Sequence, residues 1–150
     1  MASHVFIVRS DIRYLGCDAW LLPCGSRGRP AQEWIPRHLR SFDKWPERPA
    51  DFTSTGLRVL EVTAWPSDEP RPWLVNVGGR AGQDVSWFVH GLQQALDAVL
   101  PTLSGRPGRF GRPKPLLATP LLGTGRGGFF AQAGDAVKAM LPLLYEAAKK

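Results

Sequence analysis

Short apolar segments alternate along this chain with longer segments of helical periodicity, and this alternation limits the fold more than any other feature. Asp18 to Leu22 is predicted to be a strand, and its continuously apolar part, Ala19 to Leu22, is typical of a strand buried on both faces. Trp73 to Val77 is predicted to be another strand. Asp84 then precedes apolar side chains at helical spacing from Val85 to Val99, which predicts a capped helix. Strands separated by helices predict an α/β fold, and we expect a three-layer α/β/α sandwich with a mixed, mostly parallel central sheet.

The same periodicities place the remaining elements. Further strands are predicted at Val5 to Arg9, Leu57 to Ala64 and Leu116 to Leu122, and helical segments at Ile12 to Leu15, Gln32 to Ser41 and Val137 to Tyr145. We expect Leu116 to Leu122 to be a central, buried strand. Pro142 lies inside the last helical pattern and predicts a kink or a restart there. The Gly, Pro and Arg residues of Ser104 to Pro115 predict an exposed, mobile loop.

Composition indicates one globular domain that covers residues 1–150. Apolar residues make up 43% of the 150 residues and charged residues 21%, which argues against a disordered chain. No segment is long and apolar enough for a membrane span or an export signal, so we expect a cytoplasmic protein with no membrane partner. Cys17, Cys24 and three scattered histidines have no metal-ligand or disulfide spacing, and we expect no metal site.

A glycine-rich segment, Gly123-Thr124-Gly125-Arg126-Gly127-Gly128-Phe129, follows the predicted strand that ends at Leu122 and precedes the last helix. Glycines let a phosphate approach backbone N–H groups closely, and the N-terminus of a following helix favours an anion. The segment lacks the Gly-Lys-Ser/Thr ending of a P-loop. Its place between a strand and a helix favours phosphate binding over a simple turn.

Asp11 lies where the first predicted strand ends, within Ser10-Asp11-Ile12. As an isolated residue it is best explained as a helix N-cap. The functional alternative is a carboxylate that accepts a hydrogen bond from the exocyclic amine of adenine.

Together these segments resemble the macro domain family. Val8 to Ile12, followed by Cys17 to Leu22, is similar to the family's opening strand, Gly-Asp-Ile turn and second strand, and Pro120 to Phe129 looks like its second phosphate loop. The resemblance covers most of the chain except Ser26 to Gly56. It implies a macro-domain-like fold and the binding of ADP-ribose or a related NAD-derived nucleotide as a recognition or sensor module, without a further cofactor.

The resemblance also implies residue roles. Asp11 would accept from the adenine amine, with Ser10 and the Ile12 N–H nearby, and Cys24, Gly25 and Leu122 would lie beside the ligand. The diphosphate and distal ribose would be surrounded by Gly123, Thr124, Gly125, Arg126, Gly127 and Gly128. Phe129 or Phe130 would pack against that ribose, or both are core aromatics that cap the last helix.

Departures from the family pattern argue against catalysis. The asparagine that orients the distal ribose in hydrolytic members falls on Gly25, and Gly25 to Arg29 is a basic segment where the family has a first phosphate loop. Arg27 or Arg29 would pair with a phosphate there, or the segment is a solvated loop. A Cys24–His38 nucleophile pair lacks a third group. An ADP-ribosyl hydrolase is therefore the less favoured alternative.

Two further expectations concern partners. The family places another strand after the last helix whereas this sequence ends at Lys150, which predicts an open sheet edge, dimerisation or limited stability. The opening is most similar to macro-like domains fused to sirtuin-type NAD-consuming modules in bacteria, which implies such a module or an ADP-ribosylated protein as partner and a role in anti-phage defence. Net charge +6 and the Arg-Gly-Phe pattern of Gly105 to Arg112 leave RNA binding as an alternative.

Overall fold

The computed structural model describes residues 4–53, 56–78, 84–122 and 133–150, which form a mixed α/β fold. The strands are β1 (Ala19–Cys24), β2 (Val59–Glu61), β3 (Arg71–Asn76) and β4 (Leu117–Ala118), and the helices are α1 (Val85–Leu103) and α2 (Ala133–Ala148). They build a four-stranded sheet in the order β2-β3-β1-β4. β1 pairs in parallel with β3 and β4, whereas β2 and β3 are antiparallel. The predicted mixed sheet is confirmed.

Both α-helices pack on one face of the sheet. The α1 stripe that contains Phe88, Leu92, Leu96 and Val99 is buried against the sheet together with Met140 of α2. The predicted N-cap is also confirmed, because the Asp84 carboxylate accepts from the Trp87 N–H at 3.0 Å. α2 runs through Pro142 as one helix and does not restart there.

The other face is covered by irregular chain. Trp20 and Leu22 of β1 pack there against Ile35, Phe52 and Trp65. The predicted helix from Gln32 to Ser41 was wrong: the segment forms two 3₁₀ turns, Gln32–Trp34 and Arg37–Leu39. Pro36 separates them, since proline has no N–H to continue a helical ladder. Among the described residues, this face therefore carries no α-helical layer.

The strand predicted to be central is short and lies at the edge of the described sheet. Only Leu117 and Ala118 of the predicted span Leu116 to Leu122 pair, and they pair with β1 alone. Pro120 ends the run because it cannot donate to a strand ladder. The prediction of a central strand was wrong, although Ala118 and Leu122 are buried.

Two other strand predictions need correction. Val5 to Arg9 forms no strand, and the side chains of Phe6, Ile7 and Val8 are exposed because no described strand pairs with this segment. The predicted strand Leu57 to Ala64 shortens to Val59–Glu61, since the Trp65 N–H donates to the Val62 carbonyl and turns the chain.

The Arg-rich loop from Ser104 to Pro115 is largely exposed, as predicted, but Asp18 holds it to the sheet. The Asp18 carboxylate accepts from the backbone N–H of Arg109 at 2.6 Å and of Leu116 at 2.7 Å. Nη2 of Arg112 completes the arrangement at 2.9 Å. One carboxylate thus fixes both the middle and the end of the loop.

Candidate functional site at the carboxyl ends of the parallel strands

The candidate site lies where β1 and β3 end side by side. Their parallel register places Cys24 opposite Asn76, and the Val77 N–H donates to the Cys24 carbonyl at 2.9 Å. Open α/β sheets bind ligands beyond the carboxyl ends of their strands. We call Cys24, Gly25, Asn76, Val77 and Gly78 the carboxyl edge.

Gly25 begins a tight turn at this edge. The Gly28 N–H donates to the Gly25 carbonyl at 3.0 Å, and Gly28 has φ +67°, a conformation that favours glycine. A Cβ atom added at Gly25 would meet no heavy atom of the described residues within 4 Å, so this part of the structure leaves space beside it. Between the two glycines, the exposed Arg27 side chain makes none of the contacts found among the described residues.

Arg29, the other candidate phosphate partner, is already engaged. Its Nη1 atom donates to the carbonyls of Gly28 and Pro46 at 3.1 and 3.3 Å, and its guanidinium lies 5.9 Å from the Trp45 ring centre. Of the two arginines suggested by the sequence, Arg27 is therefore the one available to an anion.

Asn76 is a buried polar residue at the end of β3. It is 1% exposed, and its Oδ1 atom accepts from the Gly78 N–H at 2.8 Å, which turns the chain away from the strand. Gly78 takes φ +69° in this turn. The Nδ2 amide of Asn76 donates to no atom among the described residues, which leaves a hydrogen-bond donor at the carboxyl edge.

Arg58 brings a buried positive charge to the same place. It is 4% exposed, and its Nε and Nη2 atoms donate to the Asn76 carbonyl at 3.2 and 3.0 Å. Nη1 donates to the Trp87 carbonyl in the first turn of α1 at 2.6 Å. Burial lowers the pKa of Arg58 to about 10. Because this value is still well above 7, the guanidinium is charged at neutral pH. None of the ion pairs among the described residues includes Arg58.

The N-terminus of α1 is occupied by its own cap. Asp84 accepts from the Trp87 N–H and, at 2.7 Å, from the Ser86 hydroxyl, and these hydrogen bonds lower the pKa of its carboxyl. A ligand anion at this helix end would have to displace a carboxylate. Among the described residues, two positive groups lie near the carboxyl edge: the exposed Arg27 and the buried Arg58, which donates to the Asn76 carbonyl.

Asp11 has the geometry of an N-cap. It precedes the 3₁₀ turn Ile12–Tyr14, which confirms the short helical segment predicted there, and its carboxylate accepts from the Arg13 N–H at 3.0 Å. The Arg13 guanidinium also donates to both carboxylate oxygens, at 2.5 to 3.0 Å, and these hydrogen bonds hold the pKa of Asp11 below its usual value. The carboxylate is exposed and charged, and Ser10 beside it is exposed.

The predicted site residues do not all meet. Ile12 and Cys24 are buried in one apolar cluster on the irregular face, whereas Leu122 is buried in the cluster on the helical face. Among the described residues, no hydrogen bond joins Asp11 to the carboxyl edge. Gly123, Thr124, Gly125, Arg126, Gly127, Gly128 and Phe129 lie outside the described residues.

Cys24 is a buried thiol and not a nucleophile. It is 4% exposed, and burial raises its pKa to about 12, so the reactive thiolate is scarce at neutral pH. The suggested partner His38 instead pairs with Glu69, with 2.6 Å between Nε2 and Oε1. The arrangement excludes a Cys24–His38 catalytic pair.

Sequence reasoning missed Arg58 and Asn76 as site residues. The available signal was Asn76, the single polar residue of the predicted strand Trp73 to Val77, and Arg58 near the start of the predicted strand Leu57 to Ala64, since charged and amide side chains are rarely buried without a specific partner. Neither residue type alone, however, predicts that the two lie opposite each other across an antiparallel pair.

No family model matches this chain, and searches of curated proteins and of solved structures find no similar protein. Within the described ranges, no group of three or more His, Cys, Asp or Glu side chains is placed to hold a metal ion. In the same part of the chain, no helix is long and apolar enough to cross a membrane.

Proposed function

We propose that this chain is a divergent macro-like module that binds ADP-ribose or a related NAD-derived nucleotide at the carboxyl edge, without hydrolysing it. The observation that carries the proposal is the parallel register of β1 and β3, which brings the Gly25 turn and the Asn76 turn to one edge of the sheet. The proposal includes a three-layer macro-domain-like architecture, cytoplasmic location and a link to NAD-consuming partners.

The charges at this edge favour a diphosphate. Arg27 presents an exposed guanidinium beside the open space at Gly25, and Arg58 places an unneutralised charge against the Asn76 carbonyl. A guanidinium pairs well with phosphate oxygens, and a charge within a low-dielectric wall acts over a longer range than one in water. The glycine-rich segment Gly123 to Gly128, which follows Leu122, would supply backbone N–H donors under this proposal.

Binding without catalysis follows from the residues at the edge. Gly25 has no side chain to orient a ribose or a water molecule, and Cys24 is a buried, protonated thiol. Incubation with mono-ADP-ribosylated protein should therefore release no ADP-ribose above background. Sustained release by the purified chain would instead favour the hydrolase alternative.

The direct experiment is calorimetric titration with ADP-ribose, AMP and NAD. Gly25→Val should weaken ADP-ribose binding at least tenfold, because the new side chain fills open space at the edge while the added Cβ contacts no atom of the described residues. The control Ala64→Val creates the same side chain at an exposed residue beyond β2 and should bind normally. Equal affinities for wild type and Gly25→Val would reject the carboxyl edge as the binding site.

Two variants that each remove one positive charge distinguish a phosphate contact at the carboxyl edge from the overall attraction of a positively charged protein for an anion. Arg27→Gln should weaken ADP-ribose binding several-fold, whereas Arg40→Gln, at another exposed arginine, should change it little. If both variants lose the same affinity, the contribution is the net charge of the protein and not a contact at the edge.

RNA binding is the second candidate, favoured by Phe110. Its ring is 76% exposed, and the guanidinium carbons of Arg109 and Arg112 lie 5.2 and 5.6 Å from its centre. An exposed ring with two cations nearby suits a stacked base of a single strand. Phe110→Ala should then abolish RNA binding, and RNA affinity should fall steeply with salt while ADP-ribose affinity responds mildly.

A further inference from the structure

Asn76 is the only asparagine in the chain, and it is buried at the end of β3. Its main chain is held by Arg58: the Asn76 N–H donates to the Arg58 carbonyl at 2.8 Å, and the Asn76 carbonyl accepts from the Arg58 guanidinium at 3.2 and 3.0 Å. Asparagine side chains are mostly exposed, and buried ones are normally hydrogen-bonded. The buried amide of Asn76 therefore calls for a partner for its nitrogen as well as for its oxygen.

The side chain of Asn76 has a defined orientation. Its Oδ1 atom accepts from the Gly78 N–H at 2.8 Å, and because only the oxygen of an amide can accept, Nδ2 is the atom that faces away from this turn. Side chains alternate along a strand, so Asn76 lies on the same face of the sheet as Leu74, which packs on the irregular face. There it is in register with Cys24, directly before the Gly25 turn. The donor thus belongs to the carboxyl edge.

Nδ2 of Asn76 is a donor without a partner that is not fully buried. It donates to no atom among the described residues. In the same part of the chain, the side-chain nitrogens that are fully buried and lack a partner belong to Trp20, Trp65, Trp73 and Arg112, and Nδ2 of Asn76 is not one of them. A small part of this nitrogen is therefore accessible at the carboxyl edge, where a ligand can accept from it.

The surroundings of this donor favour an anionic acceptor. Arg58 carries a charge that no ion pair among the described residues neutralises, and the structure leaves space beside Gly25. A hydrogen bond to a charged oxygen is roughly twice as strong as one to a neutral oxygen. We infer that Nδ2 of Asn76 donates to a phosphate oxygen of the ligand, so that this residue selects ligands with a phosphate at the carboxyl edge. The inference rests on the proposed function, because it names a residue of that site that recognises the diphosphate.

The single asparagine makes a direct test possible. In protein labelled with ¹⁵N only in its asparagine side chain, the one pair of amide signals belongs to Nδ2 of Asn76. Titration of the wild-type chain with ADP-ribose, and separately with pyrophosphate, should shift these signals saturably in NMR spectra. Adenosine, which has no phosphate, should leave them in place. Signals that stay in place when the phosphate compounds are added, or that move equally with adenosine, would overturn the inference.

Asn76→Asp tests the donor while it keeps the turn. The aspartate retains an oxygen that accepts from the Gly78 N–H but replaces the donor with a charged acceptor, so ADP-ribose and pyrophosphate should each bind at least tenfold more weakly in calorimetry. Gln32→Glu makes the same change from amide to carboxylate at an exposed residue and should bind like wild type. Equal affinities for the two variants would show that Asn76 only stabilises the turn. Circular dichroism checks that both are folded, and the labelled wild-type protein decides the question if Asn76→Asp does not fold.

Failure of this inference is distinct from failure of the proposed function. If ADP-ribose binds and Gly25→Val weakens the binding, but the Asn76 signals do not move, the nucleotide site stands and Asn76 does not contact the ligand. If ADP-ribose does not bind, the proposed function is wrong, and the pyrophosphate titration decides alone. Shifted Asn76 signals would then support a phosphate site at this amide, and unshifted signals would reject it.

Discussion

Gly91 of α1 lies against the guanidinium of Arg58: a Cβ atom at this glycine would be 2.5 Å from Nη2 of the arginine. The guanidinium cannot easily move away, because it donates to the carbonyls of Asn76 and Trp87 and lies 3.5 Å from the centre of the Trp87 ring. Glycine within a helix normally costs about 1 kcal/mol relative to alanine. Here the missing side chain makes room for the buried cation that joins β3 to α1.

Gly91→Ala therefore should destabilise this protein, against the usual trend for helices. We expect a loss of about 1–2 kcal/mol in the free energy of unfolding, measured by urea denaturation, since the arginine must give up hydrogen bonds to admit the methyl group. In an Arg58→Ala background the same substitution should stabilise the helix. A double-mutant cycle compares the two effects, and equal signs in both backgrounds would show that the two residues do not compete for space.

Asp18 should be among the most sensitive surface carboxylates for stability. Asp18→Ala leaves the Arg109 and Leu116 N–H groups without an acceptor and Arg112 without its ion pair, so we expect a loss of about 2–4 kcal/mol on chemical unfolding. The matched variant Asp43→Ala, at an exposed carboxylate, should change stability by less than about 0.5 kcal/mol. Similar small effects from both variants would mean that the loop does not depend on Asp18.

Because Cys17 and Cys24 are buried thiols, we expect the free energy of unfolding to fall at high pH. Burial raises the pKa of Cys17 to about 11 and of Cys24 to about 12, whereas both thiols titrate near 8.5 when unfolded. Above that pH the unfolded chain loses protons that the folded chain keeps, so the free energy of unfolding falls as pH rises from about 8.5 towards 11. Between pH 8 and pH 10 the loss should be roughly 1–2 kcal/mol per thiol.

Alanine variants isolate that contribution. The Cys17→Ala and Cys24→Ala double variant, although less stable at pH 8, should lose less stability on going to pH 10 than wild type, because lysines and tyrosines titrate equally in both. In parallel, a thiol reagent at pH 8 should label wild type slowly in buffer and rapidly in urea. An identical pH slope for both proteins would contradict burial of these thiols.

Periodicity in the sequence predicted the elements whose side chains face a continuous core. The predicted strand Asp18 to Leu22 corresponds to β1. The apolar side chains at helical spacing after Asp84 lie on α1, which has the expected N-cap. Both succeed because burial against the sheet and local capping favour the same structure.

The failures arose where pairing partners or prolines decide the outcome. Val5 to Arg9 has the composition of a strand, but a strand needs a neighbour, and the described sheet offers none. Pro36 and Pro120 interrupt a helix and a strand whose side-chain patterns continue past them. At the candidate site, Gly25 was identified from a family pattern, whereas Arg58 required the antiparallel pairing that places it opposite Asn76.

Variants of Asp11 test whether this residue binds the adenine of ADP-ribose, as the proposed site requires. If its carboxylate accepts from the adenine amine, Asp11→Ala should weaken ADP-ribose binding about tenfold or more, since a hydrogen bond to a charged acceptor is lost. Asp11→Ser keeps an N-cap acceptor without the carboxylate, so it should retain the 3₁₀ turn and lose binding to a similar extent. Arg13→Ala frees both carboxylate oxygens from the guanidinium and should leave binding unchanged or tighter. Calorimetry on these three variants separates recognition from capping: normal binding by Asp11→Ser would show that this aspartate is only a cap.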